Sequence, residues 1–242
     1  MKNKIKIATV QKYYLQLNHQ KPLCKTVTNV HHKMKNTTAK IQEIQNIILF
    51  IGYNSERKRS YYNVNKEEGL KRIYETSNDI IHEALPIKCL GAVFLGIYLT
   101  NDYCNLKRYP ISFKTKITNY GGSDVGKIHK HIILAVVDVD RSKEFTWEQA
   151  RWGSIGISRQ PLLCGRDIRY KNLGDLLTSY RNVYKLKDHQ LIDIYIGNEI
   201  AHCSTMFNNT QDIHWRKLKI KNIHSKHWDD VYNKINSFTT IQ

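Results

Sequence analysis

One long apolar run, 84-ALPIKCLGAVFLGIYLTN-101, interrupts an otherwise polar sequence. Its larger apolar residues recur at helical spacing and small residues fill most of the remaining positions, which predicts a helix that is apolar nearly all round. Such a helix belongs in the protein core. Pro86 suits a first helical turn, because its missing N–H needs no partner there. Lys88 and Cys89 break the apolar pattern at the start of the run, and they need a separate explanation.

Cys89 occupies a position where a thiol can become a nucleophile. If the helix begins near Pro86, the thiol lies in the first turn, where free N–H groups and the helix dipole favour negative charge. Lys88 adds a neighbouring cation, and both effects are expected to lower the thiol pKa. Papain-like and transglutaminase-like enzymes place a cysteine in this way. A purely structural cysteine at a helix start is an equally good interpretation of these residues alone.

The segments around this helix predict an α+β fold. Before it, isoleucines at helical spacing predict a helix over 37–51, with a threonine cap and Gly52 at its end, and a second amphipathic helix follows over 67–82. After it come short β-like runs, ISFKTKI, HIILAVVDV, SIGIS and LIDIYIGNEI, with a helix over 172–185 between the last two. Helices followed mostly by strands indicate helices packed on an antiparallel sheet.

The domain organisation expected from this pattern is simple. Residues 1–37 are basic and polar and are interpreted as an N-terminal arm. Residues 38–242 are interpreted as one domain, large enough for a sizeable core, with a helical part over about 38–108 and a sheet part over about 109–242.

Composition limits the classes of protein to consider. The chain has 242 residues, 41% of them hydrophobic, and the first twenty lack the apolar segment of a secretory signal, so we expect a cytoplasmic protein. Five scattered cysteines form no C-x-x-C pair, and we expect neither a metal nor a cofactor. The formal net charge of +17 is the strongest signal, and it favours a polyanionic partner such as an acidic protein surface, nucleic acid or an anionic membrane.

A cysteine nucleophile needs a base, and His131 is the best candidate among the 11 histidines. It opens 131-HIILAVVDV-139, the strongest strand in the sequence, so the sheet edge would fix its backbone; His189 and most other histidines lie in polar surroundings and are expected to be solvated. A histidine at a strand start more often has a structural role than a catalytic one. A helix that begins with a cysteine in the same chain brings the two roles closer in weight, because a Cys–His pair forms in space and not in sequence. Asp138 and Asp140 follow on the same strand, too far along it to reach the ring. The residues alone therefore do not identify a third catalytic residue that would orient the histidine.

Four strings, 83-EALPIKCLGAVFLGIYLTN-101, 109-YPISFKT-115, 131-HIILAV-136 and 156-GISRQ-160, together resemble the vasohibins over roughly residues 38–220. The resemblance implies a transglutaminase-like cysteine protease that removes the C-terminal tyrosine of α-tubulin. Its Cys–His–Ser triad falls on Cys89, His131 and Ser158, with Ser158 orienting the histidine. A main-chain carbonyl that also contacts the histidine falls on Leu163.

The resemblance also implies how a free carboxyl terminus is held. Lys88 and Arg159, each next to a triad residue, match the positions that bind the terminal carboxylate, and an arginine fork suits that group. Further matching positions that line the groove for the acidic tail are Tyr53, Lys66, Lys114 and Lys130.

The chain departs from the family pattern in two places. Residues 116–128, KITNYGGSDVGKI, form a longer loop that could reshape the groove rim. The N-terminal region lacks the family's Trp-bearing helix and Pro-rich segment, which help embrace a helical chaperone, the small vasohibin-binding protein. The need for that partner is therefore open, although the Ile-rich helix at 38–51 could present a groove for it.

Three functions remain as candidates. The first is a tubulin tyrosine carboxypeptidase acting in the cytoplasm on microtubules. The second is a non-catalytic basic module for microtubules or RNA, for which 214-HWRKLKIKNIHSKHW-228 offers cations alternating with aromatic rings that could stack bases. The third is a cysteine peptidase of this fold acting on another acidic C-terminus.

Overall fold

The computed structural model describes residues 36–56, 60–118, 124–139, 149–202 and 213–240. Nearly all of the expected N-terminal arm, 1–37, lies outside this part of the chain. Within the described ranges, five α-helices and six β-strands are present. The helices are α1 (Thr37–Ile51), α2 (Gly69–Glu83), α3 (Cys89–Leu99), α4 (Leu173–Leu186) and α5 (Trp228–Thr240). The strands are β1 (Leu106–Ile117), β2 (Ile128–Asp138), β3 (Arg151–Ile155), β4 (Arg166–Tyr170), β5 (His189–Ile196) and β6 (Leu218–Ile220).

The six strands form one sheet in the order β4-β3-β2-β1-β5-β6, with every neighbouring pair antiparallel. The α+β fold with an antiparallel sheet is therefore confirmed. The sheet begins slightly earlier than expected, at Leu106, and Pro110 lies inside β1. Sequence patterns did not identify the strands β4 and β6. They also did not identify α5, which adds a second helix to the part expected to be mostly sheet.

Two apolar cores lie on opposite faces of the sheet, and β2 contributes to both. Its residues Ile132, Leu134 and Val136 pack with α1, α2 and α3, whereas Ile133, Ala135 and Val137 pack with α4 and α5. This arrangement explains the uninterrupted apolar sequence of β2, since a strand covered on both faces has no solvent side. His131 lies near the start of β2, before the residues of this strand that pair with β3.

Helix α3 is buried as expected, but it begins at Cys89 rather than near Pro86. Lys88 is its N-cap, and the preceding Ile87 forms an isolated parallel bridge with Tyr53. A Cβ added at Gly96 would lie 3.1 Å from a side-chain carbon of Ile155, so glycine allows the helix to approach the sheet closely. Among the described residues, no helix is long and apolar enough to cross a membrane.

Helix α1 spans the expected residues, yet its cap and its apolar face differ from expectation. Asn36, rather than a threonine, is the N-cap, and its side chain accepts a hydrogen bond from the Thr38 N–H at 2.9 Å. The isoleucines of the stripe are buried in the protein's own core, so they form no groove for a partner. Leu49 and Phe50 are the exposed apolar side chains of this helix.

Candidate active site

The candidate site is a cleft where β2 extends past the end of β3. Pairing between β2 and β3 runs only from Leu134 and Ile155 onward, whereas β1 pairs with β2 as far as Ile128. The chain after β3 turns away and leaves room for the start of α3. The resulting cavity has a volume of about 430 Å³. It is lined by Cys89, His131 and Ser158, which are separated widely in the sequence.

Cys89 is the first residue of α3 and is half-buried at the base of this cleft. The backbone N–H groups of Ile132, Leu90 and Cys89 itself are directed at its sulfur and favour the thiolate, as does the more distant Lys66. Burial outweighs all of them and raises the pKa of the Cys89 thiol. The expectation of a lowered thiol pKa was therefore wrong, because a helix start inside a core removes the solvent that would stabilise the anion.

His131 projects toward the second core, where its ring stacks on Phe113 with centroids 6.2 Å apart. It lies within β2, three residues after the strand begins, and β2 is an interior strand, so the expected position at the sheet edge was wrong. Its Nε2 lies 3.0 Å from the carbonyl oxygen of Leu163. Burial lowers the pKa of His131 to about 4, although the Leu163 carbonyl opposes this effect.

These contacts assign the protonation of the ring. A carbonyl oxygen only accepts hydrogen bonds, so Nε2 carries the proton that it donates to Leu163. The lowered pKa keeps the ring neutral near pH 7, so Nδ1 is left without a proton and can act as a base.

Ser158 lies on the loop after β3, between the two cores. Its hydroxyl accepts a hydrogen bond from the Gln160 N–H at 3.2 Å, and it lines the same cleft as the His131 ring. The contact with the histidine that the structure shows is that of the Leu163 carbonyl, the second of the two contacts implied by the resemblance.

Helix α1 holds the start of this loop. The buried Gln45 side chain donates to the carbonyl of Gly156 and accepts from its N–H, each at 3.0 Å. The Gly165 N–H also donates to the Gly156 carbonyl at 3.0 Å, which closes the loop at its base. The loop that carries Ser158 is therefore fixed at both of its ends.

The two cations expected to bind a carboxylate lie at the mouth of this cleft. Lys88 and Arg159 both line it, together with Tyr53. The Arg159 side chain is exposed, and its guanidinium lies 6.0 Å from the centroid of the Tyr53 ring. Burial and the nearby Cys89 raise the pKa of Tyr53, and Arg159 acts in the opposite direction.

A second cavity, of about 330 Å³, adjoins the first and shares Cys89, His131 and Lys130 with it. Lys66 and Lys114 also line it, so all the substrate-binding candidates lie around these two cavities. Lys114 and Lys130 are directly opposite each other on β1 and β2.

The cations of the second cavity are not equivalent. Lys66 lies 4.6 Å from the centroid of the Trp215 ring, and burial and Arg216 lower the pKa of its ammonium group. Lys114 pairs with the buried Asp193 at 3.5 Å. Lys130 is exposed on its strand.

Several residues that sequence reasoning missed complete the two cavities. Arg216, stacked 4.9 Å from the Tyr195 ring centroid, lines the second cavity. His189 was expected to be solvated, but it is half-buried in the first cavity, where its Nδ1 lies 3.0 Å from the hydroxyl of Thr115. Burial lowers the pKa of His189, and the neighbouring His129 adds to this effect.

The segment 214–228 does not provide the expected aromatic platform for bases. Trp215 is buried, stacks on Phe94 and donates its indole N–H to the Lys66 carbonyl at 3.1 Å. Trp228 donates to the Thr178 hydroxyl at 3.0 Å. Both rings are part of the fold, which removes the main observation in favour of RNA binding.

The longer loop expected at 116–128 is the connection between β1 and β2. Its residues 119–123 lie outside the described part of the chain. Asp124 and Lys127, which form an ion pair, line the first cavity. The loop thus contributes charged groups to the rim of the cleft.

Comparison with known proteins identifies the family of this chain. Residues 4–241 match the sequence model of the vasohibin family. The chain is also similar to tubulinyl-Tyr carboxypeptidase 1 of Mus musculus, with 30% identity over 177 residues, which make up 73% of this chain and 42% of that protein. The chain thus spans less than half of that relative's length. The match to the family model covers almost the whole sequence, and the chain belongs to the vasohibin family.

Proposed function

We propose that this protein is a cysteine carboxypeptidase that removes the C-terminal tyrosine from the acidic tail of α-tubulin. The observation that carries the proposal is a pair of adjoining cavities that share Cys89 and His131. The cations Lys88 and Arg159 line the first cavity, and a second group of cations lines the other. The name of the similar mouse protein, a tubulinyl-Tyr carboxypeptidase, supports the choice of substrate.

The reaction would begin with an uncharged thiol and an uncharged imidazole. The Cys89 sulfur attacks the carbonyl carbon of the last peptide bond while Nδ1 of His131 takes the thiol proton. Proton transfer accompanies attack, because burial disfavours both charged forms beforehand. The imidazolium then gives its proton to the leaving amine of tyrosine. Water attacks the acyl-enzyme and gives a proton to Nδ1 of His131, and the imidazolium returns this proton to the Cys89 sulfur as the shortened tail leaves.

Backbone groups are available for the oxyanion of the tetrahedral intermediate. The N–H of Cys89 is at the first position of α3, where it has no partner within the helix. The N–H of Ile132 is directed toward the same sulfur from β2. Donors fixed in this way stabilise developing negative charge without reorganisation.

The two cavities would bind opposite sides of the scissile bond. The terminal carboxylate would contact Lys88 and Arg159 in the first cavity, with Ser158 beside the histidine and the ring of Tyr53 at the cleft mouth. The acidic residues upstream would lie in the second cavity, near its group of lysines, which are Lys66, Lys114 and Lys130. Cations that line a cleft with low-dielectric walls attract carboxylates more strongly than the same cations on an open surface.

The test is hydrolysis of synthetic α-tubulin tail peptides by the purified chain, measured as released tyrosine. Cys89→Ala is expected to abolish release. Arg159→Ala and Lys88→Ala are expected to lower kcat/KM by about 10- to 100-fold, as loss of a charge-assisted contact implies. Lys171→Ala, at an exposed position before α4, is the matched control for removal of one cation.

Two peptide changes sharpen this test. A C-terminal amide removes the carboxylate, so it should lower hydrolysis by the wild type but add little to the defect of Arg159→Ala. Peptides that end in phenylalanine or other residues separate tubulin specificity from activity on other acidic C-termini. Full activity in Cys89→Ala would refute the mechanism.

The resemblance extends the proposal to a partner and a place of action. The helical small vasohibin-binding protein would contact the exposed side of α1, where Leu49 and Phe50 lie outside the core. Action would take place on microtubules in the cytoplasm. Tyrosine release with and without that partner tests whether it is required.

A further inference from the structure

The loop between β3 and β4 carries three groups of the candidate site. Ser158, Arg159 and the Leu163 carbonyl all belong to it, and a single 3₁₀ turn, Pro161–Leu163, reverses its direction. The position of the Leu163 carbonyl relative to His131 therefore depends on what fixes this turn.

One guanidinium holds the carbonyls on both sides of Leu163. Arg166 donates from Nη1 to the carbonyls of Cys164 and Gly165, at 3.0 Å and 3.4 Å, and from Nη2 to the carbonyl of Leu162. An arginine fork can hold several acceptors in one fixed arrangement, which a lysine cannot do. The Leu163 carbonyl, between these anchored groups, is left to accept from His131.

Tyr180 of α4 supports the same turn from below. Its hydroxyl donates to the Cys164 carbonyl at 2.8 Å and contacts the Ser154 hydroxyl at 2.8 Å. The Ser154 hydroxyl in turn accepts a hydrogen bond from the backbone N–H of Arg166 at 3.0 Å. The Arg166 guanidinium lies 4.6 Å from the centroid of the Tyr180 ring. Tyr180 and Ser154 are buried, so each bond lies in a region where an unpaired polar group is costly.

Arg166 and Tyr180 also influence the His131 ring without passing through the Leu163 carbonyl. Phe113 packs between the His131 and Tyr180 rings, with centroid distances of 6.2 Å and 5.3 Å. The charge of Arg166 also helps to lower the pKa of His131, after the larger effect of burial. Arg166 and Tyr180 thus affect both the acceptor of the ring and the wall against which the ring stacks.

We propose that Arg166 and Tyr180 are positioning residues that hold the Leu163 carbonyl against Nε2 of His131 and so keep Nδ1 free as the base. They contact neither the sulfur nor the expected substrate positions, and their effect passes through His131. The kinetic part of this inference rests on the proposed carboxypeptidase activity. The geometric part, which concerns the tautomer of one histidine, does not.

The experiment measures that tautomer directly. Nitrogen-15 NMR of histidine-labelled full-length chain distinguishes a protonated Nε2 from a protonated Nδ1, and the His131 signals are assigned by their loss in His131→Gln. The wild type is expected to show the Nε2–H form alone at pH 7. Tyr180→Phe and Arg166→Gln are each expected to give a mixture of both forms, because the Leu163 carbonyl is no longer fixed.

Three variants separate positioning from stability and charge. Tyr232→Phe removes a hydroxyl that bonds Asn172 and Asp175 at the start of α4, so it controls for a lost tyrosine hydrogen bond. It should keep the single tautomer. Arg169→Gln removes an exposed arginine from the same strand as Arg166 and should do the same. Arg166→Lys keeps the charge without the fork and should resemble Arg166→Gln in its tautomer mixture.

Kinetics on tail peptides provide the second measurement. Tyr180→Phe is expected to lower kcat about tenfold with KM within about twofold, as loss of one hydrogen bond implies. A single Nε2–H tautomer in both Tyr180→Phe and Arg166→Gln would overturn the inference, as would full recovery in Arg166→Lys. If the wild type releases no tyrosine either alone or with the small binding partner, the proposed function fails, while the NMR result still decides the positioning role.

Discussion

The reactivity of Cys89 toward an alkylating agent as a function of pH tests the electrostatics of the site most directly. Burial raises the pKa of this thiol above its ordinary value of 9.0, in spite of the surrounding N–H groups. The lowered pKa of His131, about 4, means that the ring carries no charge near pH 7 and cannot form an ion pair with a thiolate. Cys89 should therefore react as an ordinary or weakly reactive thiol when no substrate is bound.

The magnitude follows from the upward shift of the thiol pKa and from the neutral imidazole ring. With a thiol pKa at or above 9.0, about 1% or less of Cys89 is thiolate at pH 7. The rate constant for iodoacetamide should rise about tenfold for each pH unit between pH 6 and pH 8, with no plateau in that interval. His131→Gln should change this profile by less than about twofold, since a neutral ring does not stabilise the thiolate.

The assay is timed alkylation of native protein, followed by peptide mass spectrometry that resolves each cysteine. Cys104, which is exposed, is the internal reference for a solvent-accessible thiol in the same molecule. A rate for Cys89 that reaches a plateau below pH 7, and that loses it in His131→Gln, would demonstrate a preformed thiolate–imidazolium pair. That result would refute a resting state in which both the thiol and the imidazole are uncharged.

Three further predictions concern stability and are measured by urea denaturation. Gln45→Ala leaves the buried Gly156 N–H unpaired and removes one of the two donors to the Gly156 carbonyl, so it should lower the free energy of unfolding by about 2–3 kcal/mol, whereas exposed Gln42→Ala should change it by less than about 0.5 kcal/mol. Gly96→Val should cost about 1–3 kcal/mol, because its Cβ would already lie 3.1 Å from a side chain of β3; an unchanged midpoint would contradict the close helix–sheet contact. The folded-state pKa of His131, about 4, lies below its ordinary value of 6.5, so the unfolded chain binds more protons between these values. Stability should therefore fall as pH drops from about 6.5 to about 4, by about 3 kcal/mol more than in His131→Gln.

Much of the fold could be predicted because fully buried segments leave long apolar runs in the sequence. The apolar run at 84–101 and the strand at 131–139 are covered on all sides, and such segments are unambiguous in sequence. The boundaries were harder, because they depend on caps rather than on periodicity. Asn36, Lys88 and the short strand β6 are set by local hydrogen bonds and by contacts with distant segments.

The candidate site was only partly predictable from residues alone. A cysteine at a helix start and a histidine on a core strand could be identified, but their pKa values could not, because burial depends on the whole fold. Ser158 and Leu163 came from the family resemblance. Arg216 gave no local signal, since the pairing of β6 with β5 and the packing of Trp215 on the helical core bring this segment beside β5.

The division of the cleft between two cores has a consequence during synthesis of the protein. Cys89 packs against the core built from α1–α3, whereas the His131 ring and Leu163 belong to the core completed by α5 near residue 240. A domain generally folds as a unit, once the residues that complete its cores have left the ribosome. A nascent chain should therefore lack the proposed carboxypeptidase activity until α5 has left the ribosome and the core behind His131 can form.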